Sequence, residues 1–214
     1  MPITSEPPAN APPVGSAKAI WSFTFAGASW STGMWLLLTG TPAPGDLSDL
    51  ATDLYGTFQT TILPNLSSSC ILEECTVHYF PEGEELTATS VASHAGSDEA
   101  EILGINSAAV LSWIISTRYR GGKPRNYLGG LSQASLDSSR SISDGLVSAL
   151  TSDAADWLTA VNGLAPGSIT TVSAGTVHFF SGGVALDPST FDPYIGVSAQ
   201  KRLCSQRRRT GREF

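Results

Sequence analysis

Strand-like patterns occur in adjacent pairs along this chain of 214 residues, and this pairing restricts the fold more than any other feature. In residues 20–25, aromatic side chains such as Trp21 and Phe23 alternate with smaller ones, which is typical of a half-buried strand. A turn over residues 27–33 then leads to a second apolar run at 34–39. The two runs predict neighbouring antiparallel strands at the start of the fold.

A second pair of strands follows in the middle of the chain. Residues 69–80 and 85–93 are joined through Pro81–Gly83, and together they predict a hairpin. Next comes an acidic segment, residues 94–106, which we expect to be a loop. It precedes an apolar, β-branched run at 108–117 that predicts a buried strand.

The clearest helical pattern lies at residues 41–64, between the two pairs of strands. Asp46 or Ser48 is a candidate N-cap, and Pro64 ends the pattern. The apolar residues of this segment follow the spacing of a single helical face: Leu47, Leu50, Leu54, Phe58 and Ile62. We expect this face to pack on the sheet.

A second, less regular helix is predicted after the strand at 108–117. It starts between Ser132 and Ser141 and stops at Asn162–Gly163. Residues 169–180 predict another strand, Gly182–Gly183 a turn, and residues 193–199 a short last strand.

The order of these elements predicts the fold class. Strands that come in adjacent pairs, rather than alternating singly with helices, indicate an α+β fold with a mostly antiparallel sheet and two main helices. The number of strand patterns leaves an all-β, jelly-roll-like fold as the alternative.

The composition indicates one globular domain with an arm at each end. With 41% hydrophobic residues the chain can bury a sizeable core, which we assign to residues 18–200. Residues 1–17 hold five of the thirteen prolines and predict a flexible arm, and residues 201–214 predict a basic arm. No apolar run reaches the roughly 20 residues of a membrane span, and the N-terminus lacks the pattern of a signal peptide. We therefore expect no membrane partner and assembly in the cytoplasm.

Charge is divided unevenly along the chain. Residues 1–110 carry twelve acids and a single base, Lys18, whereas residues 111–214 carry seven acids and eleven bases. Ten of these bases fall into two groups, Arg118, Arg120, Lys123 and Arg125 in one and Lys201, Arg202, Arg207, Arg208, Arg209 and Arg212 in the other. Two cationic patches on an acidic chain predict contacts with the acidic face of a neighbouring copy or with phosphate groups.

The first basic group follows directly on a buried strand. In the segment Val110–Gly130 an apolar run passes into a loop broken by Gly121, Gly122 and Pro124. Such a strand holds the root of the loop firmly and presents its bases at a surface. The alternative is a solvated turn without a partner.

Histidines and carboxylates give no convincing catalytic constellation. His78 and His178 lie in strand patterns beside aromatic residues, so they form a metal site or an acid–base pair only if their strands are neighbours. His94 falls in the predicted acidic loop, where a metal ligand is poorly held. The carboxylates at 73–74 and 82–85 alternate between strand faces, which favours a solvated strand edge over a catalytic pair.

The chain also lacks the short motifs of common enzymes. It contains neither a GxSxG nucleophile motif nor a GxxxxGK[ST] phosphate loop. Its three cysteines, Cys70, Cys75 and Cys204, form no CxxC motif and predict buried thiols in a reducing compartment. The sequence therefore predicts no catalytic residue, no metal site and no cofactor.

Two segments carry a resemblance that covers nearly the whole chain. SWIISTRYRGGKPRNYLGG at 112–130 and KRLCSQRRRTGR at 201–212 resemble an uncharacterised group of small coat- or capsid-like virion structural proteins known from environmental viral genomes. The early tryptophan-containing strand and both helices fall in the same order in that group. The resemblance implies a virion component, with a basic loop formed by Arg118, Arg120, Arg125, Asn126 and Tyr127 and a basic tail at Gln206–Arg209.

These features together predict a non-enzymatic coat or capsid subunit that assembles with itself into a large homo-oligomer. We expect it in the virion, and in the host cytoplasm during assembly, with the basic tail contacting the viral genome. A phage head–tail connector or tail subunit is a close alternative. From a different class, the alternative is a small hydrolase or binding module that uses His78 and His178.

Overall fold

A computed structural model describes residues 15–25, 27–38, 41–66, 70–81, 88–100, 109–118, 125–134, 144–164, 175–181, 184–186 and 189–191. Within these residues the chain forms nine β-strands and two α-helices. In chain order they are β1 (Ser16–Phe25), β2 (Ala28–Leu37), α1 (Pro44–Thr61), β3 (Cys70–Phe80), β4 (Ser90–Glu99), β5 (Ala109–Arg118), β6 (Arg125–Ala134), α2 (Asp144–Gly163), β7 (Gly175–Ser181), β8 (Val184–Ala185) and β9 (Ser189–Phe191). The residues that hold most of the two predicted arms, 1–14 and 201–214, lie outside this description.

The strands follow one hydrogen-bonded path in the order β4-β3-β1-β2-β6-β5-β7-β8, and β9 also pairs with β7. Every pair is antiparallel. The path consists of two four-stranded groups, because β2 and β6 meet at a single residue pair, Gly33 and Tyr127. The Gly129 N–H adds a bond of 2.7 Å to Thr32 Oγ1 across this junction. The predicted α+β fold is confirmed, and the two helices exclude the all-β alternative.

Both helices lie on the same face of the sheet. Helix α1 packs on β3 and β4, α2 packs on β7 and β9, and the helices contact each other. Alternate residues of each strand therefore point into one core beneath the helices. The fully buried members of this core include Trp21, Phe23, Leu36, Leu72, Val77, Trp113, Ile115, Val177 and Phe179. The opposite face of the sheet is called the open face below.

An aromatic cluster joins the sheet to both helices. The Trp21 ring of β1 stacks on Phe58 of α1 at 5.3 Å between centroids, and it meets Trp157 of α2 edge-on at 5.7 Å. All three side chains have no exposed surface. The Trp21 indole N–H also donates to the Leu54 carbonyl at 3.4 Å. This one side chain therefore joins the sheet to both helices at a common point.

A polar cluster at the end of α1 ties the same layers together. Asn65 Nδ2 donates to Asp153 of α2 at 2.7 Å, and the Asn65 carbonyl accepts a hydrogen bond from the Ser132 hydroxyl of β6. Ser132 Oγ in turn accepts from the Trp113 indole N–H at 2.6 Å. Because buried polar groups are costly when unpaired, this chain of bonds specifies how the second strand group sits under the helices.

Helix α1 confirms the predicted apolar stripe, since all five of its predicted core residues are buried. The predicted N-cap is wrong. The helix starts at Pro44 and its N-cap is Ala43, because proline suits the first helical position. Asp46 lies in the first turn, where its carboxylate accepts the Ala43 backbone N–H at 2.6 Å. The acidic group therefore stabilises the helix start from inside the helix.

Two predicted loops are strands in the structure. The predicted turn at residues 27–33 is wrong, because β2 begins at Ala28 and Gly27, at φ +79°, lies in the tight connection from Phe25. The predicted loop at 94–106 is wrong over its first six residues, because β4 runs to Glu99 and pairs with β3. The hairpin of these two strands is confirmed, although its second strand lies further along the chain than the pattern predicted.

The start of the second helix was also predicted too early. Residues 125–134 form β6, which pairs along its full length with β5, and α2 begins only at Asp144. Glycines obscured this strand in the sequence. A side chain at Gly130 would overlap the Trp113 ring, so glycine is needed where the two strands meet.

The last strands pack against β7 at the edge of the second group. Ser181 pairs with Val184 in β8, and Val177 pairs with Ser189 in β9. The strand predicted over 169–180 is confirmed from Gly175, whereas its first residues, the Gly182–Gly183 turn and the strand at 193–199 lie outside the described residues.

We predict that Trp21→Ala destabilises the fold by about 3–5 kcal/mol, because it removes the ring that contacts both helices and leaves a cavity. Chemical denaturation monitored by circular dichroism measures the change. Val91→Ala is the matched control, since Val91 is 58% exposed and its truncation is expected to cost less than about 0.5 kcal/mol. Equal losses for both variants would show that the aromatic cluster does not hold the layers together.

Candidate functional site

The predicted basic loop is the tip of a β-hairpin. Arg118 ends β5 and pairs directly with Arg125, the first residue of β6, so two bases are rooted on hydrogen-bonded strands. Asn126 and Tyr127 belong to β6 rather than to a loop. The intervening residues 119–124, with Arg120 and Lys123, lie outside the described residues. The structure therefore fixes the two ends of the loop and confirms that a strand precedes it.

The basic tail is outside the described part of the chain. The last described residue is Phe191 in β9, and the six predicted contact residues of the tail follow at Lys201, Arg202, Arg207, Arg208, Arg209 and Arg212. Their predicted role in intersubunit or nucleic-acid contacts stays a prediction.

The open face of the sheet carries large apolar side chains. In register across the strands, half-buried apolar and aromatic residues lie among serine and threonine: Ile20, Trp35, Ile114, Leu131 and Phe180. Neither helix covers this face, because both pack on the other one. A sheet face that meets only water is usually polar, so this composition indicates a surface suited to a partner.

One end of the open face combines a cation with aromatic rings. The Lys18 ammonium lies 5.6 Å from the centroid of the Trp35 ring, and Trp35 also packs on Phe80 at 5.2 Å. Lys18 pairs in register with His78 on the neighbouring strand. The only base in the first half of the sequence thus lies on the open face, where its charge is held over an aromatic ring.

This cluster lies at the end of the sheet that carries the basic hairpin. Gly33 of β2 pairs with Tyr127 of β6, which places Trp35 and Arg125, each two residues further toward that end, on neighbouring strands. Counting charges in the sequence singled out Lys18 as an isolated base. The position of Lys18 next to Trp35 and near the hairpin depends on strand pairing and was not predicted.

His78 and His178 do not form a pair. They lie on β3 and β7, and four strands separate them in the sheet, which corresponds to roughly 24 Å. His178 Nε2 lies 3.3 Å from the Ser116 hydroxyl on the open face, while the Ser116 hydroxyl also faces the Thr176 carbonyl at 3.4 Å. A catalytic serine–histidine pair needs a third group that orients the imidazole. Among the described residues, no hydrogen bond from His178 to a carboxylate is present.

Hydrogen bonds from Tyr55 and Gln59 of helix α1 to Asp98 hold the edge strand β4 on the helix. This group is called the polar lock below, and the sequence did not predict it. The Tyr55 hydroxyl bonds Asp98 of β4, and Gln59 Nε2 donates to the same carboxylate at 2.7 Å. His94, which was predicted in a loop, lies on β4 with its ring 4.8 Å from Tyr55 and Nδ1 3.3 Å from Thr52 Oγ1. This lock is a structural contact between a helix and a strand, not an open cleft.

Burial gives Tyr55 an unusual ionisation. Desolvation, followed by the neighbouring Asp98 carboxylate, raises the pKa of the Tyr55 phenol well above its ordinary value of 10.0. Gly96 of β4 provides the space for the hydroxyl, because a Cβ atom at this position would overlap it. The acidic composition of this segment predicted a loop, and Gly96 adds no side chain to the strand pattern, although the residue belongs to β4.

The remaining candidate groups are structural. Cys70 and Cys75 are buried thiols, as predicted, and burial followed by the charge of Glu74 raises the pKa of the Cys75 thiol. Glu73 lies at an irregularity of β3 without a register partner and is exposed, whereas Glu74 pairs with Ser22. Across the described ranges, no group of three or more potential metal ligands comes together.

Comparison of the chain with protein-family models, with curated proteins and with solved structures found no match. Neither described helix is long and apolar enough to cross a membrane. The function therefore has to be inferred from the arrangement of the chain's own residues.

We predict that Tyr55→Phe lowers the free energy of unfolding by about 1–3 kcal/mol near neutral pH, because Asp98 loses a donor. The pKa of Tyr55 is raised in the folded state, so its stabilising effect is present below about pH 10 and is lost as the pH rises further. Above pH 10 the slope of stability against pH should therefore be less negative in the variant, by up to about 1.4 kcal/mol per pH unit.

Urea denaturation of both proteins between pH 7 and pH 11 gives the two stability curves. Cys75 titrates in the same direction and is present in both proteins, so only the difference between the curves is interpreted. Parallel curves above pH 10 would rule out a buried, neutral Tyr55.

Proposed function

We propose that the protein is a non-enzymatic virion structural protein, a coat or capsid subunit that assembles with copies of itself. The observation that carries the proposal is the open face of the sheet, which presents apolar and aromatic side chains and has both helices on its other side. Burying such a face against further copies gains hydrophobic free energy that a monomer forgoes.

The chemistry of the face supports a protein partner. Rows such as Ser112 beside Phe180 and Leu131, and Ile114 beside His178, combine apolar contact area with small hydroxyl groups. Its described charged side chains, Lys18, Glu74 and Glu99, lie on the first group of strands, away from Ser112 and Ile114 on β5. Interfaces between subunits are depleted in charge and enriched in aromatic residues at their centres, which fits this composition.

Charge supports a second copy as that partner. Helix α1 and strand β4 hold five acids, Asp46, Asp49, Asp53, Asp98 and Glu99, and contain no lysine or arginine. The paired bases Arg118 and Arg125 lie on β5 and β6, and three strands separate β6 from β4 in the same copy. Opposite charges that are held apart within one copy can meet between two copies, which favours head-to-tail assembly.

Nucleic acid is the partner we propose for the basic tail. The run Arg207–Arg209 and Arg212 offer a dense positive charge, and binding of phosphates by such residues releases counterions. The whole chain, with the tail included, has a net charge of -7, so attraction of a genome depends on local patches rather than on the whole surface.

A head–tail connector or tail subunit would use the same open face, but its assembly would close into a small ring. The hydrolase or binding-module alternative required His78 and His178 to act together, and the strand order separates them. No described feature favours it.

The wild-type protein is expected to sediment as a large assembly at low salt and to dissociate partly near 1 M salt, where charges are screened beyond about 3 Å. We expect Ser112→Glu to raise the concentration needed for assembly by about tenfold or more, because it would bury an unpaired charge in the interface. Ser112 is exposed in the single copy, so the fold should tolerate the change.

Analytical ultracentrifugation at several protein concentrations, with negative-stain microscopy of the same samples, measures both effects. Ser148→Glu is the matched control, because Ser148 is an exposed residue of α2 on the opposite side of the sheet. A wild-type protein that stays monomeric at every salt concentration would contradict the proposal, and rings of small, fixed copy number would favour the connector.

A further inference from the structure

The two edges of the sheet differ in a way that assembly can use. One edge is formed by β8 and β9, which are only two and three residues long. The other edge is β4, a strand of ten residues that pairs only with β3 among the described strands. Most residues of β4 are exposed.

Strand β4 lacks lysine and proline, two common protections of an open edge, and its acidic residues, Asp98 and Glu99, lie at its C-terminal end. Natural edge strands are commonly blocked by lysine, proline or a short length, because their free N–H and C=O groups can pair with another chain. The β4 sequence SVASHAGSDE contains neither lysine nor proline, and its side chains are mostly small. The Tyr55–Asp98 lock and the His94–Thr52 contact hold the strand in place on α1. These contacts hold the strand in position, and no second described strand pairs with its outer edge.

We propose that residues 194–206 of one copy add as a strand to the β4 edge of a second copy. This inference rests on the proposed function, since it requires copies to assemble, and it names the contact that joins them. The mode of binding is strand addition, in which backbone hydrogen bonds give affinity and side-chain contacts give specificity.

The sequence of residues 194–206, YIGVSAQKRLCSQ, suits this role. It contains no proline, so every residue can donate a backbone hydrogen bond, and Tyr194, Ile195 and Val197 favour extended structure. Its charged residues are Lys201 and Arg202. They complement the surface of α1 and β4, which carries five acids and no lysine or arginine.

The path along the sheet favours two different copies as the partners. Phe191 lies in β9, and seven strand spacings separate β9 from β4, which amounts to roughly 34 Å across the sheet. Val197 follows six residues later, and six residues span at most about 22 Å when fully extended. Along that path, residues near Val197 do not reach β4 of their own copy.

Other segments of the chain are less suitable. The link from Ala100 to Ala109 has nine residue steps, or at most about 32 Å, and must cross roughly 24 Å from β4 to β5. It has too little length left to run along β4. Residues 1–14 include five prolines, which cannot donate to a strand ladder. Two β4 edges in contact would bring together two acidic surfaces.

Disulfide formation between two differently labelled copies tests the proposal. All variants are full-length and carry Cys204→Ser, so that no cysteine remains beyond Phe191. One population carries Ser93→Cys or Ala95→Cys on the exposed side of β4, and the other carries Val197→Cys. The two are mixed under assembly conditions and oxidised, and disulfide heterodimers are measured on non-reducing gels. Circular dichroism confirms that each variant is folded.

We expect the mixture to give at least about tenfold more heterodimer than a control in which Ser148→Cys on α2 replaces the β4 cysteine, because docking raises the effective concentration of the thiols. Disulfides form only when the two Cα atoms approach within about 7 Å, so random collision contributes little. Reduction should return the product to single chains.

Three results overturn the inference, and they differ in what they say of the proposed function. If the wild-type protein assembles but neither β4 cysteine reacts above the control, the tail contact is wrong while the coat-subunit proposal stands. Efficient homodimer formation by Ser93→Cys would show that β4 of one copy pairs with β4 of another instead of with residues 194–206. The coat-subunit proposal would then stand, because this pairing also joins copies. A wild-type protein that never assembles overturns both.

Discussion

The contact of Trp21 with Phe58 and Trp157 decides which side of the sheet is covered. It brings α1 and α2 onto the same face and next to each other, so that one core serves both groups of strands. The weak junction between the groups, a single pair at Gly33 and Tyr127, does not hold them together alone. Both described helices pack on one side, so neither of them covers the other face of the sheet, and the proposed function depends on this asymmetry.

Elements whose pattern reflects their own geometry could be predicted from the sequence. The apolar stripe of α1 follows the helical period along its full length. In β1, large apolar side chains alternate with smaller ones because only one face of the strand is buried. The predicted capping residue was wrong because proline at position 44 starts the helix before Asp46. The sheet class followed from paired strands, which need no knowledge of tertiary contacts.

The second half of β4 and all of β6 were not predicted, because each contains a glycine whose role depends on a residue distant in sequence. Gly96 leaves space for the Tyr55 hydroxyl, and Gly130 leaves space for the Trp113 ring. Each glycine weakens the strand pattern locally, and the compensating contact comes from another element. In both cases the tertiary contact overrides the local preference.

The candidate site was predictable in its charges but not in its arrangement. Counting bases found the hairpin tip at Arg118 and Arg125 and marked Lys18, whereas the sheet order places Lys18 beside Trp35 on the open face. Strand order likewise separates His78 from His178, which no local pattern reveals. Together these positions give a subunit with one covered face, one open face and complementary charges, which is the basis of the proposed self-assembly.

The most direct test of this account is a cryo-electron microscopy structure of the assembly formed by the wild-type protein. The account predicts that the open face, with Ser112 and Ile114 near its centre, is buried against a neighbouring copy and that the helices lie outside this contact. Particles in which the open face meets only solvent, with the subunits joined through α1 and α2, would contradict it.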